Sequence, residues 1–152
     1  VDPTDLADDQ TLILTRVFKA PRPLVFEAWT NPQRAGVWWG PAGFAIVSCE
    51  MDVRPGGAYH LRMRASDGTT HIKRGVYQAI VPPERLVFTW AWDDPDGPPG
   101  RETLVTVQFE DLGNETKLTL RQAPFESTAS RDGNRGGWSG CFDRFAAYLA
   151  ET

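Results

Sequence analysis

The stretch Asn31-Pro32-Gln33-Arg34-Ala35-Gly36-Val37-Trp38-Trp39-Gly40-Pro41 decides how this chain is read. Asn31-Pro32 ends one helix and starts another, with Asn31 as cap and Pro32 at the first helical position. Gly40-Pro41 then marks the hand-over from helical text to strand text. The tryptophan pair falls at that junction. Because a Trp ring buries roughly 150–250 Å², two of them where helices give way to strands point to a lined hollow.

Upstream, Thr11 to Lys19 is rich in β-branched and aromatic residues and stops at Ala20-Pro21, which predicts a first strand. Across Leu24 to Trp29 the positions Val25, Phe26, Ala28 and Trp29 follow helical spacing. Downstream the period changes. Strands are expected at Phe44–Val53, Ala58–Ala65, His71–Val81, Arg85–Asp93, Glu102–Glu110 and Thr116–Gln122. They are separated by Pro55-Gly56-Gly57, Asp67-Gly68, Pro82-Pro83, the loop from Asp94 to Gly100, and Gly113-Asn114. Short separators favour antiparallel hairpins, and with no helix between these strands a parallel sheet is not expected.

Alternation is clearest where Leu86, Phe88, Trp90 and Trp92 share one face, and it also groups Tyr59, Leu61 and Met63, and Val105, Val107 and Phe109. The stretch from Phe125 to Asn134 reads as a polar loop. After Gly136-Gly137, the residues Trp138, Cys141, Phe142, Phe145, Tyr148 and Leu149 recur at helical spacing, so an amphipathic helix is expected to cover the apolar sheet face.

The 152 residues fit one domain, with residues 1–10 as a flexible lead. With 16 Lys plus Arg against 20 Asp plus Glu, the net charge is -4 and no basic stripe follows a phosphate backbone, so nucleic acid is not an expected partner. Val1 to Gln10 lacks the basic region and apolar run of a secretory signal, and no apolar stretch approaches the roughly 20 residues that span a bilayer. A cytoplasmic location without membrane insertion is the expectation. Cys49 and Cys141 read as free core thiols.

Five strings, in order, resemble a known family: Ala20 to Pro32 (APRPLVFEAWTNP), Trp38-Trp39-Gly40-Pro41, Asp52-Val53-Arg54-Pro55-Gly56-Gly57, Pro82 to Trp90 (PPERLVFTW), and Gly137-Trp138. They are similar to those of Hsp90-ATPase-activator-like proteins, within the START-like, helix-grip superfamily that also holds lipid-transfer domains and polyketide cyclases. The resemblance covers Leu12 to about Leu149. It implies an α+β helix-grip fold: a curved antiparallel sheet of about seven strands around a long C-terminal helix, with two short helices after the first strand. It also implies a cavity between sheet and helix, in which different relatives carry different ligands.

Three function classes follow. The first is a domain binding a small hydrophobic or aromatic ligand. The second is a chaperone-associated module, with the stress-response setting its family name implies. The third is a cyclase- or hydrolase-type enzyme, ranked below binding because no dedicated acid–base pair is visible. No cofactor, catalytic residue or metal ligand is assigned, and a homodimer is left open.

The residues expected to line the cavity are Trp38, Trp39, Tyr59, Met63, Arg74, Trp90, Trp92, Trp138, Phe142 and Phe145, with Trp90, Trp92 and Trp138 foremost. For each ring the alternative is a plain core position. Arg62 and Arg64 alternate with Leu61 and Met63 and belong to a solvated face, whereas Arg74 shares parity with Ile72 and Val76 and is expected to point inward unless a bulge near Gly75 reverses it. His60 and His71 lack metal-ligand spacing, and Ser139-Gly140-Cys141 lacks a nucleophile's context. The glycines from Gly133 to Gly140 match no phosphate loop; they loosen the start of the last helix and are a candidate gate for the pocket mouth.

Overall fold

A computed structural model of the chain describes residues 10–40, 43–95 and 100–151. The lead before Gln10, Pro41, and the middle of the Asp94–Gly100 loop lie outside the described residues. In chain order the elements are β1 (Leu12–Phe18), α1 (Arg22–Thr30), α2 (Pro32–Trp38), β2 (Ala45–Met51), β3 (Ala58–Arg64), β4 (Thr70–Val81), β5 (Arg85–Trp92), β6 (Thr103–Asp111), β7 (Thr116–Ala123) and α3 (Thr128–Ala150). The seven strands form one sheet in the order β1-β7-β6-β5-β4-β3-β2, and every neighbouring pair is antiparallel.

Asn31 does the work expected of it at both helix ends. Its backbone N–H donates to the Glu27 carbonyl at 2.9 Å, closing α1, and its side-chain oxygen accepts the Gln33 N–H at 3.0 Å, opening α2. The indole Nε1 of Trp38 donates to the Ala28 carbonyl at 3.1 Å, satisfying one of the carbonyls that the end of α1 leaves without a helical partner.

One face of the sheet is apolar over most of its area. Tyr59, Leu61 and Met63 on β3, Leu86, Phe88 and Trp90 on β5, Val105, Val107 and Phe109 on β6, and Leu118 and Leu120 on β7 are all buried. Against that face α3 lays Trp138, Cys141, Phe142, Phe145 and Leu149. Phe18 meets Phe142 edge-on at 5.6 Å between centroids, and Trp29 of α1 stacks on Trp138 at 6.0 Å. Arg144 of α3 donates to the carbonyls of Gly40 at 2.9 Å, Phe44 at 3.1 Å and Val37 at 3.3 Å, tying the helix to the turn after the tryptophan pair. The result is an α+β helix-grip architecture.

One expectation is corrected. The stretch from Phe125 to Asn134 is not a loop throughout: α3 already begins at Thr128, capped by Ser127, whose Oγ accepts the Ser130 N–H at 3.1 Å. Its first turns carry Gly133, Gly136 and Gly137, each costing about 1 kcal/mol relative to Ala in helix propensity. Tertiary anchors make up for this: Arg135 donates to the Ile13 carbonyl at 3.2 Å, and Trp138 is buried.

Candidate functional site

Between β4, β5 and the first turns of α3 lies a cavity of about 300 Å³, lined by Lys73, Trp90, Trp92, Ser130, Gly133, Asn134, Gly137, Trp138 and Cys141. A smaller recess of about 150 Å³ adjoins it, sharing Trp90, Trp92, Ser130 and Asn134 and adding Arg101, Thr103 and Phe125 among others. The α3 wall is open because it is built partly of glycine. A methyl group added at Gly133 or Gly137 would meet no atom within 4 Å.

The indole walls are held by strand alternation and by a buried relay. Trp90 and Trp92 stand T-shaped at 5.0 Å on β5. Trp138 Nε1 donates to Gln122 Oε1 at 2.8 Å, Gln122 Nε2 donates to Thr103 Oγ1 at 2.8 Å, and that hydroxyl donates to the Trp90 carbonyl at 3.2 Å. The relay thus links α3, β7, β6 and β5 through side chains that are all buried. Gln122→Leu leaves the Trp138 N–H buried without an acceptor. It is expected to cost about 1–3 kcal/mol in urea denaturation and to shift the near-UV circular dichroism of the tryptophans; an unchanged midpoint would show that the relay holds nothing.

Lys73 is the site residue that sequence reasoning missed. It is only 3% exposed, and its Nζ lies 4.8 Å from the centroid of the Trp39 ring and 5.3 Å from that of Trp138, within cation–π range. Among the described residues no carboxylate pairs with it. Burial pushes its amine below the ordinary value of 10.5; the thiols of Cys141 and Cys49 oppose that shift, and the Arg144 charge adds to it. Burial likewise raises both thiols, Cys49 to about 11.

A pH dependence follows. Between the lowered value in the folded protein and 10.5, the unfolded chain binds more protons at this site, so the Lys73 contribution to stability rises with pH across that window. Below the window the folded protein carries the full cost of a buried ammonium. Lys73→Met is therefore expected to be more stable than the wild type at neutral pH, with the gap closing toward pH 10.5, as read by urea midpoints across that range. A gap that widens with pH would reverse the assignment.

The other expected lining residues are placed differently. Trp38 is fully buried and stacks on Phe145 at 4.3 Å, while Phe142, Phe145 and Met63 are core side chains. Trp39 is also a core ring: it packs on Tyr59 at 5.0 Å and offers a ring face to Lys73, standing behind that lysine and not in the cavity wall. Tyr59 donates its hydroxyl to the Thr89 carbonyl at 2.6 Å. Arg74 does not point inward: it is exposed and pairs with Asp93 at 3.3 Å. Lys73, Gly75 and Tyr77 are the alternating buried positions of β4, and the register shift lies beyond them, between Tyr77 and Ala79. Ile72, which suggested the opposite parity, is buried outside the main core cluster.

His71 Nδ1 lies 2.8 Å from Asp94 Oδ2, and its Nε2 lies 2.9 Å from Thr69 Oγ1, tying the start of β4 to the end of β5. Among the described residues no group of three or more His, Cys, Asp or Glu could hold a metal ion.

Residues 19–150 match the family model described as "Activator of Hsp90 ATPase homolog 1-like protein". Among solved structures, a protein from Chromobacterium violaceum is 29% identical with a TM-score of 0.78, over 91% of this chain and 95% of that one. A protein from Rhizobium loti is 27% identical with a TM-score of 0.76, over 91% and 95%. The AHSA1 protein from Silicibacter pomeroyi is 25% identical with a TM-score of 0.82, over 92% and 97%. Comparison with curated proteins returns no match.

Proposed function

The chain belongs to the family of Activator of Hsp90 ATPase homolog 1-like proteins, and on that footing we propose that it binds a small apolar or aromatic molecule between β4, β5 and α3. The observation that carries this reading is an open hollow walled by Trp90, Trp92 and Trp138 beside the aromatic core. Protein interiors are normally close-packed, and a lined void costs stability. At about 300 Å³ the hollow stands at the lower end of the usual range of ligand pockets, roughly 300–1,000 Å³.

Binding is favoured over turnover by the ionisable groups in the wall, which are Lys73 and a thiol, Cys141, held protonated by burial. A general acid–base pair needs two groups of matched proton affinity within reach of the substrate. Association with a chaperone, the reading that the family description favours, makes no demand on the cavity. A cytoplasmic setting agrees with the two free thiols. No helix among the described residues is long and apolar enough to cross a membrane.

The test uses the uncharged probe N-phenyl-1-naphthylamine. It is expected to quench tryptophan emission and raise the thermal midpoint, as linkage requires of a ligand that binds only the folded state. Gly137→Leu, which fills the open wall, is expected to weaken binding about tenfold or more while the far-UV spectrum is retained. Absence of binding, or binding indifferent to that substitution, overturns the reading.

A further inference from the structure

We infer that the ligand of this cavity is an acid: an aromatic or apolar body carrying one carboxylate, whose anion pairs with the Lys73 ammonium while its rings lie against Trp90, Trp92 and Trp138. The inference rests on the binding reading above and adds the charge of the guest.

Lys73 carries it. A lysine is almost never fully buried unless it is paired, yet this one is 3% exposed, lines the void, and has no carboxylate partner among the described residues. Its Nζ lies over two ring faces, Trp39 and Trp138, which attract a cation but accept no charge-assisted hydrogen bond. The electrostatic surroundings repeat the pattern. The groups acting on the amine are the Cys141 and Cys49 thiols, both raised by burial, and Arg144, a second cation. Lys73 is the basic side chain of the hollow's wall and among the described residues no acidic side chain lines it, inside a chain whose net charge is -4. Such a site favours an anion, because a buried charge is tolerated when it is paired and hydrogen-bonded. The small volume allows one ring system and one headgroup, and the indole walls select an apolar body over a hydrophilic anion such as phosphate.

A matched pair of probes tests this: 2-naphthylacetate and its uncharged counterpart 2-naphthylacetamide, with affinities measured by calorimetry on the full chain. The wild type is expected to bind the acid about tenfold or more tightly than the amide. Lys73→Met is expected to bring the two affinities together. The preference of the wild type is also expected to fade as pH rises and the ammonium loses its proton, while amide binding stays level; Cys49 and Cys141 ionise in alkaline solution too, and their thiolates work in the same direction. Equal affinities in the wild type, or a preference that survives Lys73→Met, overturn the inference and leave apolar binding standing. If neither probe binds, the binding reading itself fails. Should Lys73→Met not fold, the wild-type ratio and its pH profile decide the matter.

Discussion

Trp38→Ala is expected to lower the free energy of unfolding by about 3–5 kcal/mol. The ring is fully buried, stacks on Phe145 at 4.3 Å and meets Trp29 edge-on at 4.8 Å. Its N–H holds the Ala28 carbonyl at 3.1 Å, so truncation removes packing and a helix-end hydrogen bond together. Domains are stable by only about 5–15 kcal/mol, so the loss is a large share of the total. In a chain of this size each kcal/mol moves the thermal midpoint by about 2–4 °C, which puts the expected fall at roughly 6–20 °C. A loss below about 1 kcal/mol in urea would show that the ring does not occupy the core.

Gly75→Ala is expected to cost about 3 kcal/mol or more, a large penalty for one added methyl group. Its Cβ would run into the Thr89 carbonyl oxygen and stand 2.6 Å from the ring and hydroxyl of Tyr59. Overpacking usually costs 1–3 kcal/mol, and occasionally more. Here the obstacle is backbone, and the Tyr59 hydroxyl donates to that same carbonyl at 2.6 Å, so neither neighbour moves without breaking the other's contact. The glycine is required by this close approach across β3, β4 and β5. Removing the hydroxyl with Tyr59→Phe is expected to leave most of the penalty of Gly75→Ala in place, because the carbonyl remains. Full recovery in the double variant would place the clash on Tyr59 alone.

Much of the fold was legible because its signals are local. Asn31-Pro32 announces two helix ends, and Leu86, Phe88 and Trp90 announce a sheet face, without knowledge of any distant residue. The start of α3 was not legible, since Gly133, Gly136 and Gly137 depress helix propensity and the compensating anchors come from β1 and the core. Within the site, Trp90, Trp92 and Trp138 announced themselves by size and periodicity. Lys73 did not. Long β4 has buried residues at neighbouring positions, and Ile72 lent its apolar character to the outer parity, which drew attention to Arg74 instead. A lysine between apolar neighbours carries no sign of which way it turns; that is settled by Trp39 and Trp138, far away in the chain.

The glycine wall of α3 separates two properties that are usually entangled. Strand pairing, the aromatic core and the Gln122 relay maintain the shape, and none of them includes positions 133 or 137. Those two positions face open space, so exchanging a hydrogen for a methyl group there changes the capacity of the hollow without touching its frame. The scaffold therefore has an adjustable bore. If the proposed binding holds, guest size can drift by substitution along a single stretch of helix, while the rest of the molecule stays under the constraint that a packed interior imposes.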